Sequence, residues 1–110
     1  MSSKDDSDRI FKALADSRRR RILDLLKDGP QTTGTLCAAF PELDRCTVMQ
    51  HMRVLEAASL IIAQRKGRER WNHLNALPIK DIYDRWIGDY ATDAVNMLAK
   101  LKADLETPPN

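Results

Sequence analysis

The sequence predicts a mainly helical fold with one small β-hairpin, and three observations support that prediction. Through most of the 110 residues, apolar side chains recur three and four positions apart, which is the spacing of an amphipathic helix. Residues 60–74 instead combine Ile, Leu and Trp with Gly67, a composition typical of two strands joined by a tight turn. Breaks such as Gly29-Pro30 and Pro41 divide the helical pattern into short elements.

These elements form one predicted domain, residues 8–106, between a disordered tail of residues 1–7 and a tail of residues 107–110. A chain of this length can bury one hydrophobic core but not two. Five helices are expected from the apolar spacing and the capping residues, at about residues 8–14, 16–27, 33–40, 45–60 and 78–106.

The fourth predicted helix has two unlike faces. At about 100° per residue, one face is largely apolar and suited to burial, and it consists of Val48, Met52, Leu55 and Ser59. The opposite face carries groups suited to base edges or phosphates: Cys46, Met49, Gln50 and Arg53. A helix that buries one stripe and offers Gln and Arg from its first turns is typical of a DNA recognition helix.

The segments on either side of this helix favour the same interpretation. A short helix, a tight break at residues 41–43 and Asp44, a good capping residue, precede it in the helix-turn-helix arrangement. Two strands, residues 60–66 and 70–74, follow it, with a tip at residues 67–69. Basic side chains surround that tip: Arg65, Lys66, Arg68 and Arg70. Such a hairpin is a wing, so we expect a winged helix-turn-helix fold with five helices and a two-stranded wing.

Two stretches of the sequence resemble a known family. They are residues 13–23, Ala-Leu-Ala-Asp-Ser-Arg-Arg-Arg-Arg-Ile-Leu, and residues 47–60, which begin Thr-Val-Met-Gln-His-Met-Arg-Val-Leu. The chain is similar here to ArsR-type winged helix-turn-helix repressors, and the resemblance covers nearly all of residues 10–90. Three positions depart from the family's usual residues: Ser17 for proline, Met49 for serine and Ser59 for glycine. The resemblance implies a homodimeric repressor of transcription, joined through its first and last helices.

The predicted DNA-binding residues lie on the recognition helix and the wing: Arg45, Cys46, Thr47, Met49, Gln50, His51, Arg53, Arg65, Lys66, Arg68 and Arg70. Gln50 is the first candidate for base reading, because its amide can bond bidentately to adenine. Arg53 could reach guanine or phosphate, and Arg45 phosphate. Thr47 and His51 could bond the DNA backbone, although a half-buried His51 that fixes helix packing is an alternative.

The wing is expected to contact phosphate or a minor groove, with Arg68 at its tip, although a merely solvated hairpin is the alternative. A twofold dimer would hold two recognition helices roughly 34–36 Å apart, so the operator should be an imperfect palindrome. The arginine run at residues 18–21 is spread around its helix and cannot form one surface. Within it, Arg19 matches a family arginine and is expected to make structural ion pairs, whereas Arg20 could touch a phosphate.

The last predicted helix carries a wide apolar stripe, and a domain this small has little to cover its second half. We expect it to pack against a twofold mate together with the first helix, although folding back onto its own core is the alternative. The predicted dimerisation residues are Ile10, Phe11, Ile82, Trp86, Tyr90, Met97, Leu98, Leu101 and Leu105. Gly88, unfavourable in a helix by roughly 1 kcal/mol, should mark a bend or a close helix approach.

Composition narrows the function further. Residues 43–76 contain six basic and three acidic residues, whereas residues 77–110 contain four basic and six acidic ones, so positive charge is expected at the DNA. No apolar run approaches the roughly 20 residues of a membrane span, and the polar start is unlike a secretory signal. Two cysteines without close spacing suit a reducing compartment, so we expect a cytoplasmic protein. No catalytic arrangement or cofactor site is indicated, so an enzyme is not expected.

The signal that such a repressor would sense is less evident. The family's metal-binding motifs are missing, since the third helix offers only Cys37 and the last helix has no histidine, so metal sensing is not expected. A thiol switch at Cys37 or Cys46, an unknown small-molecule effector and no effector at all stay open. A winged-helix module that binds proteins is a further alternative, but Gln50, Arg53 and the basic wing favour DNA.

Overall fold

The computed structural model describes residues 3–88 and 92–106, which form six helices and three short strands. The helices are α1 (Ser3–Leu14), α2 (Ser17–Leu26), α3 (Thr33–Ala38), α4 (Arg45–Ala57), α5 (Leu77–Trp86) and α6 (Thr92–Glu106). The strands are β1 (Gln31–Thr32), β2 (Ile61–Lys66) and β3 (Glu69–Leu74). The chain divides into two compact units, residues 1–79 and 80–110, and the first unit carries the helix-turn-helix and the wing.

Two helices differ from the prediction. α1 begins at Ser3, inside the predicted disordered tail. The prediction places the start of this helix too late because the apolar spacing that indicates a helix starts only at Ile10. The last helix is divided in two, since α5 ends at Trp86 and Gly88 follows in a turn. A Cβ at Gly88 would lie 2.8 Å from the Cα of Asp84, so this close approach requires glycine. The described residues therefore form six helices instead of the expected five.

β2 and β3 form the predicted hairpin. They pair antiparallel, and the register places Lys66 opposite Glu69. The tip is therefore a two-residue turn of Gly67 and Arg68, and Glu69, predicted at the tip, is the first residue of β3. Gly67 has a φ of +62°, which glycine adopts without a steric penalty.

The sheet contains a third strand that the sequence does not predict. β1 pairs antiparallel with β3, so the strand order is β1-β3-β2, and Gln31 lies opposite Asn72. The fully buried Asn72 side chain donates from Nδ2 to Gln31 O at 3.2 Å and to Thr33 Oγ1 at 3.1 Å. A strand of two residues is too short to show an alternating pattern, so nothing in the sequence marks it.

The hydrophobic core of the first unit collects apolar side chains from α1, α2, α3, α4 and β2. Its buried members are Ile10, Ala13, Ile22, Leu23, Leu26, Leu36, Phe40, Val48, Met52, Leu55, Ala58, Leu60 and Ile61. The predicted stripe of Val48, Met52 and Leu55 is buried, with no more than 1% of any of these residues exposed. Ser59, assigned to the same stripe, is exposed and lies beyond the end of α4.

Ser59 follows the end of α4 in a left-handed backbone conformation, with a φ of +61°. Its N–H donates to Glu56 O at 2.8 Å, and the N–H of Leu60 donates to Leu55 O at 2.9 Å. These two bonds form a Schellman motif, and both leucines are fully buried, in keeping with its usual hydrophobic contact. The motif turns the chain from α4 into β2, and its left-handed position explains why glycine is favoured where this chain has serine.

Ser59→Gly should increase the free energy of unfolding by about 0.5–1 kcal/mol. Glycine removes the steric cost of the left-handed backbone, roughly 1–2 kcal/mol, but gives the unfolded chain more freedom, which returns about 0.4–1 kcal/mol. Urea unfolding measures the difference. Ser59→Ala keeps the steric cost and should show no comparable gain; equal midpoints for the two variants would contradict the strain assigned to Ser59.

Candidate nucleic-acid interface

The helix-turn-helix is fixed by two capped helix starts and one buried ring. The Asp44 carboxylate accepts a hydrogen bond from the Thr47 N–H at 2.7 Å at the start of α4. Thr32 Oγ1 similarly accepts a backbone N–H of the first turn of α3 at 3.2 Å. Between the helices, the Leu43 N–H donates to Phe40 O at 3.0 Å, and the Phe40 ring is buried. These contacts fix where α4 begins and how it follows α3.

α4 presents its predicted polar face to solvent. Its predicted DNA-binding residues are either exposed (Arg45, Cys46, Gln50 and Arg53) or half-buried (Thr47, Met49 and His51). The exposed groups include an amide that both donates and accepts and two guanidinium groups that can bind guanine or phosphate. With 13 residues, α4 is roughly 20 Å long, and a helix of this size fits the roughly 12 Å wide major groove.

A groove of about 360 Å³ lies between the start of α4 and the wing. Arg45 and Met49 line it on the side of α4. The wing contributes three arginines and one glutamate: Arg65, Arg68, Arg70 and Glu69. Arginines on both walls give the groove a positive charge, which attracts a polyanion such as the DNA backbone.

The wing is tied to α4 by an ion pair. Arg65 and Arg70 lie directly opposite each other in the hairpin, a position in which like charges repel. Arg70 also pairs with Glu56 of α4, and both side chains of that pair are 30% exposed. Arg70 therefore has a structural partner in addition to the DNA contact predicted for it. Arg65, Lys66 and Arg68 are exposed.

Two residues that build this interface are not found by sequence reasoning. In the sequence, Glu56 is an ordinary acidic residue of a helix. Its partner Arg70 lies in β3, and the sequence does not indicate that β3 contacts α4. Asn72 reads as a polar residue of a wing strand, yet it is fully buried and bonds both β1 and the start of α3. Because β3 also contains Glu69, Arg70 and His73, one more polar residue in this strand does not indicate a buried side chain.

His51 lies against the protein interior. It is half-buried, and its Nδ1 is 3.2 Å from Arg19 Nη1, which favours the packing alternative over a DNA-backbone contact. Arg19 also donates to the carbonyl oxygens of Ala13 at 2.8 Å and Lys12 at 3.0 Å. Among the described residues, Arg19 therefore bonds the last carbonyls of α1 and an imidazole, where a carboxylate partner is expected from the sequence. Arg20 donates to a further carbonyl of the same helix end, at 2.7 Å.

Most of the predicted dimerisation residues are exposed: Phe11, Trp86, Met97, Leu98, Leu101 and Leu105. Ile82 is half-buried. Ile10 is only 8% exposed within the core of the first unit, so little of its side chain is available to a partner. Tyr90 lies outside the described residues. The second unit thus leaves a row of large apolar side chains in contact with solvent.

The residues considered for sensing are few. Both cysteines are free thiols; Cys37 is half-buried and Cys46 exposed. Within residues 3–88 and 92–106, no three His, Cys, Asp or Glu side chains are grouped so that they could hold a metal ion. Among the helices that the structure describes, none has the length and apolar content of a membrane span.

The fold and the site together define a class of protein. A helix-turn-helix whose second helix exposes Gln and Arg, followed by a basic β-hairpin across a groove, is the architecture of winged helix-turn-helix DNA-binding proteins.

Comparison with known proteins adds the family. A helix-turn-helix domain model matches residues 14–63. The chain is similar to the transcriptional repressor SdpR of Bacillus subtilis strain 168, with 36% identity over 72 residues, 66% of this chain and 79% of that protein. It is also similar to the arsenical resistance operon repressor of Staphylococcus aureus, with 35% identity over 73 residues, 66% of this chain and 69% of that one. The chain belongs to the ArsR family of winged helix-turn-helix transcriptional regulators.

A solved structure shares the fold. It is the homodimeric winged helix-turn-helix DNA-binding domain of a possible ArsR-family regulator from Mycobacterium bovis, with a TM-score of 0.64 at 22% identity. The match covers 96% of this chain and 89% of that one. The prediction of the family is confirmed, and so is the prediction that the protein is a regulator rather than an enzyme.

Asp44→Asn should remove a part of the stability that depends on pH. The Thr47 backbone N–H and side chain bond the Asp44 carboxylate and hold its pKa below the ordinary value of 3.8. A lowered pKa stabilises the folded state above the unfolded pKa, and this contribution is lost as pH falls through the folded pKa. Asparagine still caps α4 but does not titrate.

Wild type should therefore be more stable than Asp44→Asn at neutral pH, and the difference should shrink below about pH 4. Urea midpoints of both proteins across the acid range test this. A difference that stayed constant down to the acid end would show that the charge of Asp44 does not contribute.

Proposed function

We propose that this regulator is a cytoplasmic, homodimeric repressor that binds an imperfect palindromic operator in double-stranded DNA and does not respond to metal ions. The observation that carries the proposal is the outward face of α4, where Arg45, Gln50 and Arg53 are exposed beside a groove with arginines on both walls. The two relatives described above are both repressors, which supports repression as the direction of regulation.

The residues divide into those that would read sequence and those that would bind the backbone. Gln50 and Arg53 lie on the exposed face of α4, where an amide can pair with adenine and a guanidinium with guanine. Arg45 starts the helix beside the groove, a position suited to phosphate. Arg68 lies at the wing tip and would enter a minor groove or bind phosphate without reading sequence. Only the first pair should determine the operator.

The dimer is supported by the apolar surface of the second unit. Leu98, Leu101 and Leu105 of α6 are more than half exposed, which is unfavourable unless a partner covers them. The Mycobacterium bovis domain of the same fold is a homodimer. Two copies related by a twofold axis would offer two α4 helices to neighbouring major grooves, which is the reason for a palindromic operator.

Selection of bound sites from random double-stranded DNA tests the whole proposal. The expected result is one enriched motif with two inverted half-sites about one helical turn apart. The same motif should be enriched when zinc or arsenite is added. A parallel selection with an oxidant tests the alternative of a thiol switch at the exposed Cys46 or at Cys37. No enrichment under any condition would favour a module that binds proteins.

Gln50→Ala should relax the preference for one base pair in each half-site. A good bidentate contact discriminates against a wrong base by about 1–3 kcal/mol, so affinity for the selected operator should fall by that amount. Affinity for operators mutated at that position should hardly change. Fluorescence anisotropy with a set of singly substituted operators measures this; an equal loss on every operator would contradict base reading by Gln50.

Arg68→Ala is expected to show the opposite pattern. Losing one phosphate contact should weaken all sequences similarly and reduce the slope of log affinity against log salt by about 1. Lys100→Ala on α6 is the matched control, because it removes one exposed cation far along the chain from the wing and should leave the slope unchanged. A changed sequence preference in Arg68→Ala, without a changed slope, would contradict the assignment.

Leu98→Glu combined with Leu101→Glu should give a monomer. Placing two carboxylates on the apolar surface of α6 makes its burial against a second copy unfavourable. Light scattering should report half the wild-type mass, and operator binding should weaken by at least tenfold because the two half-sites are no longer linked. Lys100→Glu adds an acid to the same helix and should leave the mass unchanged. An unchanged mass for the double variant would exclude this surface from the interface.

A further inference from the structure

Arg19 joins three parts of the first unit through a single guanidinium group. Its Nε donates to Ala13 O at 2.8 Å and its Nη2 to Lys12 O at 3.0 Å, so two of its nitrogens hold the last carbonyls of α1. Its Nη1 lies 3.2 Å from His51 Nδ1, in the middle of α4. Arg19 itself belongs to α2 and is half-buried. The rigid fork of donors therefore connects α1, α2 and the recognition helix.

The contact with His51 has a definite polarity. A guanidinium has donors and no acceptor, so His51 must accept at Nδ1, which leaves its proton on Nε2. Nε2 is buried and has no hydrogen-bond partner among the residues that the structure describes. The bond from Arg19 is thus the polar contact that holds the imidazole in place.

Packing sets the rotation of α4 only coarsely, and this bond restricts it further. The buried stripe of α4, which includes Val48 and Met52, attracts the helix to the core, but burial of apolar surface has no direction. A hydrogen bond is directional, and the bond from Arg19 anchors the helix at His51, next to Gln50 and two residues before Arg53. A small rotation of α4 about its axis would move both exposed side chains, and bidentate base contacts tolerate little displacement.

We infer that Arg19 is a positioning residue for DNA recognition: through His51 it sets the rotation of α4, and it thereby couples the end of α1 to base reading by Gln50. The inference rests on the proposed function, since it concerns the specificity of the same surface. It assigns Arg19 no contact with DNA.

The test compares variants that remove the bond between Arg19 and His51 with variants that keep it. Arg19→Lys keeps the charge but cannot reach all three acceptors, and His51→Leu removes the acceptor. His51→Asn places an amide oxygen near the position of Nδ1 and should rescue. Arg18→Lys is the matched control, because it makes the same change at the adjacent, exposed arginine. Each protein is titrated with the selected operator and with a scrambled duplex over a range of salt concentrations, and its melting temperature is measured.

Arg19→Lys and His51→Leu should each reduce the ratio of specific to nonspecific affinity by about tenfold, as expected for loss of one charge-assisted hydrogen bond. The slope of log affinity against log salt should not change. The variant that combines both substitutions should have an affinity ratio no lower than that of the more affected single variant, because each substitution removes the same contact. His51→Asn and Arg18→Lys should stay within about threefold of wild type.

Other results would overturn the inference. A reduced salt slope for Arg19→Lys would make Arg19 a phosphate contact, and a lower melting temperature with an unchanged affinity ratio would leave it a structural role only. If wild type itself prefers no sequence, the proposed function fails, and amide NMR shifts decide the positioning role separately. Arg19→Lys should then shift the amides of Gln50 and Arg53, whereas Arg18→Lys should not; unshifted amides would refute it.

Discussion

The recognition surface depends on the burial of one stripe of α4. Val48, Met52 and Leu55 are each no more than 1% exposed, and burying a side chain of this kind stabilises a fold by roughly 1.5–3 kcal/mol. A single hydrogen bond contributes about 0.5–1.5 kcal/mol, so packing decides that α4 docks on the core. Because successive residues turn by about 100°, that burial directs Gln50 and Arg53 outward. The chemistry of the exposed face follows from the apolar residues behind it.

Polar contacts then set the positions that packing leaves free. The Glu56–Arg70 ion pair joins α4 to the wing, and buried Asn72 joins the wing strand to β1 and to Thr33 at the start of α3. Leaving a buried amide without its partners costs more than the bonds themselves contribute, so Asn72 allows little variation in this geometry. The two walls of the arginine-lined groove, α4 and the wing, are thus joined by a side-chain contact in addition to the short connection between α4 and β2.

The sequence predicts the elements that repeat a pattern over several turns or that begin with a strong cap. α4 is predicted from its stripe and from Asp44, and α2 from Asp16, and both caps are confirmed. β1 is too short to carry a pattern. The break after α5 lies at Gly88, where the sequence predicts a bend or a close helix approach, although the contact with the backbone of Asp84 exists only in the fold. His51 lies at the border between the two faces of α4, where helical spacing does not decide burial.

The net charge of the chain is only +2, but the arginines of the groove and the exposed apolar residues of α6 lie in different units, and the proposed function depends on this separation. Arginines gather at the groove of the first unit, whereas the second unit offers apolar residues such as Leu98 and Leu101. One α4 helix reaches only a few base pairs, so a single half-site would bind weakly. Linking two copies makes the second half-site binding intramolecular and can raise affinity by 10² or more without any new DNA contact. The apolar surface of α6 would thus control operator affinity as strongly as the side chains that touch the DNA.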